Sequence, residues 1–257
     1  MQIRTVTYEV EFQRSLEGEM TIVLISDLHL GEVASERRLG RIVAQINGLN
    51  PDIVAIAGDI FNDDFHALRD PEGAAALLRG INAPLGVFAC LGNHDTGPTI
   101  GLMKEFLVES NIQLLNDEHA IVDNRLVVIG RLDALPPWTG DGFGDMRRRD
   151  FVYVMEDVKA DLAYQGLPLD LPVVVIDHNP ANIGEYGSNV DLALFGHTHS
   201  GALFPISLVT RAMFVIDRGH FRQDSQSPHI IVTQGVHVWS IPLRVGTRNE
   251  IVVVNVK

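Results

Sequence analysis

Three apolar runs, each cut short by a small residue and a polar cluster, constrain this chain more than any other feature of its sequence. Residues 20–25 run into Ser26-Asp27-Leu28-His29. Residues 52–57 run into Gly58-Asp59. Residues 85–90 run into Gly92-Asn93-His94-Asp95. Short apolar runs without polar alternation suit strands that are covered on both faces. The segments between them have helical spacing. Leu39, Ile42, Val43 and Ile46 punctuate residues 35–48, with Ser35 at the N-cap position. Residues 71–81 begin with Pro71, which suits the first turn of a helix. Residues 99–109 are read as a third helix. Strand and helix alternate three times, which predicts βαβ units and a parallel sheet. In such sheets ligands gather at the carboxyl ends of the strands, and the polar clusters fall at those ends.

The second half is richer in strands. Candidates are residues 120–122, 125–129, 173–176, 190–195, 229–233, 236–241 and 250–256. Residues 3–10 alternate with period two and predict a half-buried strand at the amino end. Residues 136–150 hold Trp138, Phe143 and Arg147-Arg148-Arg149 and are expected to form a long surface loop. Residues 150–164 are expected to be helical. No internal repeat or low-complexity tract interrupts the chain. With 257 residues, 46% of them hydrophobic, it can bury a sizeable core, and one domain over residues 1–257 is expected.

The formal net charge of −13 argues against a nucleic-acid partner, whose phosphate backbone such a surface repels. No interleaved basic and aromatic stretch offsets it. An anionic small substrate stays open, because bound metal ions can dominate the field at a site. The single cysteine, Cys90, lies in an apolar run and reads as a buried small hydrophobe. The amino end lacks the basic start and apolar run of a signal peptide, and no stretch approaches about 18 apolar residues. The expected location is cytoplasmic, with peripheral membrane contact left open.

The polar blocks share one chemistry. They are Asp27-Leu28-His29, Gly58-Asp59, Gly92-Asn93-His94-Asp95 and Gly196-His197-Thr198-His199, joined by His178 in Asp177-His178-Asn179-Pro180. Imidazoles and carboxylates suit Zn, Mn or Fe. In extended backbone, residues i and i+2 point the same way. On that reading, Asp27 with His29, and His197 with His199, each present two ligands to one pocket. Two metals need a ligand between them, and the two oxygens of Asp59 make it the natural bridge. Asn93 offers a neutral amide oxygen. The remaining histidines, His66, His119, His220, His229 and His237, fit ordinary surface or core positions. Arg147-Arg148-Arg149 is either a solvated stretch or a phosphate clamp. Arg131 and Asp133 either support the site or pair at the surface.

The ordered blocks D-x-H, G-D, G-N-H-D, H and G-H-x-H resemble the calcineurin-like metallophosphoesterase superfamily. Asp27 and Asp59 are 32 residues apart, and Asp59 and Asn93 are 34 apart, which matches its spacing. The resemblance runs from about Thr21 to the carboxyl end. It implies a four-layer αββα sandwich: two mixed sheets flanked by helices, with two divalent metal ions at the rim. It assigns Asp27, His29, Asp59 and His199 to the first metal, and Asp59, Asn93, His178 and His197 to the second. It further implies hydrolysis of a P–O bond by a metal-bound hydroxide, with His94 protonating the leaving oxygen.

Within the superfamily the chain is similar to the bacterial YkuE-like phosphoesterases. The supporting residues are Asp177-His178-Asn179-Pro180, Pro242-Leu243-Arg244-Val245-Gly246 and Glu250-Ile251. Some of those enzymes cleave UDP-2,3-diacylglucosamine, so the implied substrates run from phosphomonoesters and phosphodiesters to nucleotide-linked pyrophosphates, a UDP-linked lipid among them. Two departures stand out. Ser200-Gly201-Ala202 replaces the subgroup's usual G-G-Q after its H-T-H. The family often places an Asp three residues after the bridging Asp, where it orients the acid histidine; here that position is Asn62, followed by Asp63 and Asp64. Asn62 is expected to hold the His94 ring. The competing readings are a non-catalytic scaffold of the same fold and a nuclease. A scaffold usually loses ligands or the acid histidine, and this chain keeps them.

Overall fold

The alternating amino-terminal pattern does form a strand, and it lies at the edge of a sheet. The structure, a computed structural model, describes residues 3–31, 36–132, 167–168, 170–238 and 243–257. Ser35, Asp133, the expected loop over 136–150 with Trp138, Phe143 and Arg147–Arg149, and the expected helix over 150–164 lie outside the described residues.

The strands are β1 (Arg4–Val10), β2 (Met20–Ile25), β3 (Ile53–Ala57), β4 (Val87–Cys90), β5 (Gln113–Leu114), β6 (Glu118–Val122), β7 (Leu126–Gly130), β8 (Val173–Ile176), β9 (Leu192–Phe195), β10 (Gly219–Phe221), β11 (His229–Val232) and β12 (Glu250–Val256). The helices are α1 (Glu36–Asn47), α2 (Pro71–Arg79), α3 (Ile100–Glu109) and α4 (Ile206–Met213). They flank two mixed six-stranded sheets, ordered β1-β12-β2-β3-β4-β5 and β10-β11-β9-β8-β7-β6. β2 to β5 are mutually parallel, as are β7, β8, β9 and β11.

Burial follows from the continuous apolar runs. One face of the first sheet places Val23, Ile25, Val54 and Ile56 against Ile42 and Ile46 of α1, Leu78 of α2 and Phe106 of α3. The other face packs Ile22, Leu24, Ala55 and Phe88 against Leu126, Val128, Val174 and Ile176 of the second sheet. The outer face of the second sheet buries Val127, Ile129, Val175 and Phe195 with Tyr186. Cys90 is buried in the layer between the sheets. Pro71 opens α2, and Asp70 caps it by accepting from the Gly73 amide at 2.9 Å.

Two parts of the pattern came out differently. The strand expected over 236–241 is not formed in its described portion, residues 236–238. The amide of Val236 donates to Ser26 O, while His237 O accepts from His199 and Arg244. These backbone groups serve the polar cluster, not a ladder. Helix α4 lies outside the expected helices, although Ile206, Val209 and Met213 recur in it at helical spacing.

Candidate metal centre

The four polar blocks meet at the carboxyl ends of β2, β3, β4 and β9, and His178 joins them from the end of β8. The convergence does not use extended backbone, as the i, i+2 argument supposed. Asp27, His29, Asp59, His197 and His199 all have positive φ, between 44° and 68°. Left-handed backbone is uncommon outside glycine and costs of order 1 kcal/mol or more at each residue. Five such residues at one place turn the chain inward after each strand.

Asp27 and His29 stay together, while His197 and His199 are divided between two groups. Asp27 and His29 group with His199, and Asp59 and His178 group with His197; within each group the candidate ligand atoms lie within 4.8 Å of one another. His199 Nε2 is 3.4 Å from His29 Nε2 and 3.5 Å from Asp27 Oδ1. His178 Nε2 is 3.2 Å from His197 Nδ1 and 3.1 Å from Asn93 Oδ1. Asp59 stands between the groups. Its Oδ2 is 3.2 Å from His178 Nε2 and 3.8 Å from His29 Nε2, and its Oδ1 accepts from the His94 amide at 2.9 Å. All seven residues expected as ligands are therefore brought together in one cluster.

The donor chemistry fits divalent cations. His178 Nδ1 is engaged by Ala57 O at 2.8 Å and His199 Nδ1 by His237 O at 3.1 Å, which leaves each Nε2 lone pair facing its group. Asp27 Oδ1 is buried without a hydrogen-bond partner among the described residues, a position that costs free energy unless a cation meets it. Burial pushes His29 down to about 4 against the opposing charges of Asp59 and Asp27. Burial and neighbouring His178 put His197 at about 4; burial and Arg244 put His199 at about 3. All three rings are therefore neutral at pH 7, the form in which an imidazole can bind a metal. Burial raises Asp27. Burial also acts to raise Asp59, but the imidazoles of His178 and His29 outweigh it and hold this carboxyl well below the ordinary range.

His94 stands at the open side, its ring edge-on to His29 with centroids 5.1 Å apart. Asn62 does not hold it. The partner is Asp63, whose Oδ1 is 2.8 Å from His94 Nδ1, and Asn62 makes no side-chain hydrogen bond among the described residues. Asp63 has φ +64°, and its amide donates to His94 O. This turn carries the carboxylate to the ring one residue later than the family spacing would place it.

Sequence reasoning passed over four supporting residues. Asp95 is fully buried and accepts from the amides of Ile60, Phe61 and Gly92, which pins the loops after β3 and β4 together. Burial, then the charge of Asp59, pushes it up to about 7. Arg244, on the tail segment after residue 242, donates to His199 O at 3.0 Å and to the carbonyls of Gln234 and His237. Asp177 accepts from Tyr186 at 2.5 Å and from the amide of its neighbour His178 at 2.8 Å. His237 was read as an ordinary core histidine. It is buried 6.5 Å from the His29 ring, and neither ring nitrogen has a partner among the described residues. Arg131, by contrast, is buried in an ion pair with Asp117 at 3.2 Å.

Two glycines make room for this packing. Gly235 has φ +78°, and a Cβ there would stand 2.5 Å from Asp27 Oδ2. A Cβ at Gly92 would collide with Asp59 Oδ1.

The chain is similar to known proteins. The chain is 32% identical over 243 residues to a zebrafish (Danio rerio) transmembrane protein with metallophosphoesterase domain; the match covers 92% of this chain and 53% of that one. The chain thus spans about half the length of that relative. It is 26% identical over 245 residues to the uncharacterized metallophosphoesterase YkuE of Bacillus subtilis, covering 92% of this chain and 78% of YkuE. The crystal structure of TT1561 of Thermus thermophilus superposes with a TM-score of 0.53 at 13% identity, covering 85% of this chain and 90% of that one, which shows a shared fold. The family model for calcineurin-like phosphoesterase matches residues 20–201, the stretch that holds all seven clustered residues, and the chain belongs to that family of metal-dependent phosphohydrolases.

Proposed function

We propose that this protein is a dinuclear metal-dependent phosphoesterase acting on a small phosphorylated substrate: a phosphomonoester, a phosphodiester or a nucleotide-linked pyrophosphate. The observation that carries the reading is the placement of Asp59, with one oxygen within 3.8 Å of both His29 Nε2 and His178 Nε2. Asp27, His29, Asp59 and His199 would hold one ion; Asp59, Asn93, His178 and His197 would hold the other. Their mixed nitrogen and oxygen donors suit Mn, Fe or Zn. When bound, such ions neutralise charge on the phosphoryl oxygens and lower the pKa of water.

The chain's own residues supply the rest. Hydrolysis joins a water oxygen to phosphorus and breaks the bond to the leaving oxygen, which then needs a proton. His94 is at the open side of the cluster, and Asp63 engages its Nδ1. That leaves Nε2 to deliver the proton, and the nearby carboxylate stabilises the charged ring. The amide of His94 is tied to Asp59 Oδ1, so the acid and the bridging carboxylate keep a fixed relation.

Hydrolysis of p-nitrophenyl phosphate and bis-p-nitrophenyl phosphate, with Mn²⁺ or with a chelator, tests the reading. Turnover should require metal and fall about 100-fold or more in His94→Ala. The preferred ester separates monoesterase from diesterase. Turnover that survives the chelator, or that is equal in His94→Ala, contradicts the proposal. So does the absence of turnover on these esters and on UDP-linked sugars.

A further inference from the structure

Helix α4 is built inside out. Its inward side is polar: Ser207 is buried, and Thr210 Oγ1 donates to the buried Asp217 at 2.9 Å. Its outward side is apolar. Ile206, Val209 and Met213 lie at i, i+3 and i+7, with exposures of 51%, 54% and 72%, and Leu208 beside them is 54% exposed. A helix of a water-soluble surface has the opposite arrangement. Phe204 and Val215, which flank the helix, are exposed too. The strip holding exposed Leu243 and Val245 lies alongside, since Phe204 N donates to Val245 O and Val245 N to Ala202 O. Of the eleven large apolar side chains exposed among the described residues, eight come from these two segments, so they form a patch and not a scatter.

Charge on this face has one sign. Residues 199–216 and 243–249 contain no Asp or Glu, in a chain whose net charge is −13; their charged side chains are Arg211, Arg244 and Arg248. Beside the patch is a concavity of about 430 Å³ lined by Arg4, Arg218, Arg248 and Tyr8. Gly246 lies on its wall and against Phe204: a Cβ on Gly246 would be 3.7 Å from Phe204 Cβ. The carboxylate in the lining, Glu250, is buried and accepts from the amide and the side chain of Gln234. None of the three arginines has an ion pair among the described residues.

We propose that this face docks on an anionic phospholipid bilayer. The exposed side chains of α4, Phe204, Leu243 and Val245 enter the acyl boundary, and the arginine-lined concavity receives a lipid phosphate headgroup. A second copy of the chain fits less well, because a two-fold contact through this patch sets arginines against arginines. The face borders the metal centre: the Phe214 ring is 6.3 Å from His197, and Arg244 reaches His199 O. The proposal goes beyond the phosphoesterase reading and stands without it, since vesicle binding is measured without turnover.

Co-sedimentation of the full chain with vesicles tests it, using mixed phosphatidylglycerol and phosphatidylcholine beside pure phosphatidylcholine. The protein should pellet with the anionic vesicles and less so as salt rises. Leu208→Ser with Met213→Ser should lower partition about tenfold or more. Arg4→Gln with Arg248→Gln should remove the preference for anionic lipid. Both double variants should hydrolyse a soluble aryl phosphate as the parent does, which separates this proposal from the assignment of the active site. Equal binding to both vesicle types, no binding, or binding unchanged in the Leu208/Met213 variant overturns the proposal. A dimer in sedimentation velocity that Met213→Ser dissolves, without vesicle binding, overturns it in favour of a second copy.

Discussion

The Asp63 carboxylate lies 2.8 Å from His94 Nδ1, so the ring nearest the open side of the cluster is oriented by a residue the family spacing does not point to. The Asp63 side chain is 67% exposed, which weakens its charge effect but leaves its hold on the ring. Asp63→Ala should lower kcat about 10- to 100-fold with KM little changed and with metal content intact. Asn62→Ala should change kcat by less than about threefold. Steady-state kinetics on an aryl phosphate, with elemental analysis of each variant, checks both. Equal losses in the two variants would return the orienting role to Asn62.

Metal occupancy should stabilise the fold. Asp27 and Asp59 are buried, and Asp27 Oδ1 has no hydrogen-bond partner among the described residues. A cation that binds only the folded state adds about 2.7 kcal/mol at one hundred times its dissociation constant. Thermal melts should therefore rise by several degrees with Mn²⁺ and fall with a chelator, at about 2–4 °C per kcal/mol for a chain of this size.

His237 should act on substrate, because its buried ring nitrogens are unspent and the ring is 6.5 Å from His29. His237→Ala should raise KM about 10- to 100-fold, the value of one hydrogen bond to a charged group, while metal content stays at the parent level. Loss of metal in that variant would instead make His237 a ligand.

His229 and His220 stack at 5.0 Å and share a hydrogen bond of 2.8 Å, away from the cluster. Burial, then Arg222 and His220, pushes His229 down to about 4. The unfolded chain takes up this proton near pH 6.5, while the folded chain refuses it until about pH 4. The stability linked to His229 is thus complete above about pH 6.5 and is lost as pH falls toward 4. In urea melts across that window, His229→Phe should lose less stability than the parent. Parallel decline in both proteins would remove His229 from the acid response.

Much of the fold was legible where local and tertiary preferences agree. The apolar runs of β2, β3, β4 and β8 became buried strands because both of their faces are covered, as continuous hydrophobicity requires. The ligand candidates were legible for a different reason: few residue types bind metals, and five blocks in order leave little choice. The backbone that gathers them was not legible. Positive φ at Asp27, His29, Asp59, His197 and His199 leaves only a weak cue, since none is glycine, although Asp and His adopt it more readily than most residues. Arg244 and His237 reach the site from the far end of the chain through tertiary contacts. Helix α4 carries apolar residues at helical spacing, but periodicity has no direction, so that this face is turned outward was not legible.

Metal stoichiometry tests the central claim most directly. Elemental analysis of the purified parent and of Asp59→Asn, after loading with Mn²⁺ or Zn²⁺ and removal of free ion, counts what the cluster holds. A dinuclear centre bridged by Asp59 predicts two ions per parent chain and at most one in Asp59→Asn, with hydrolysis lost in step. One ion or none in the parent, or two retained in Asp59→Asn, would contradict it.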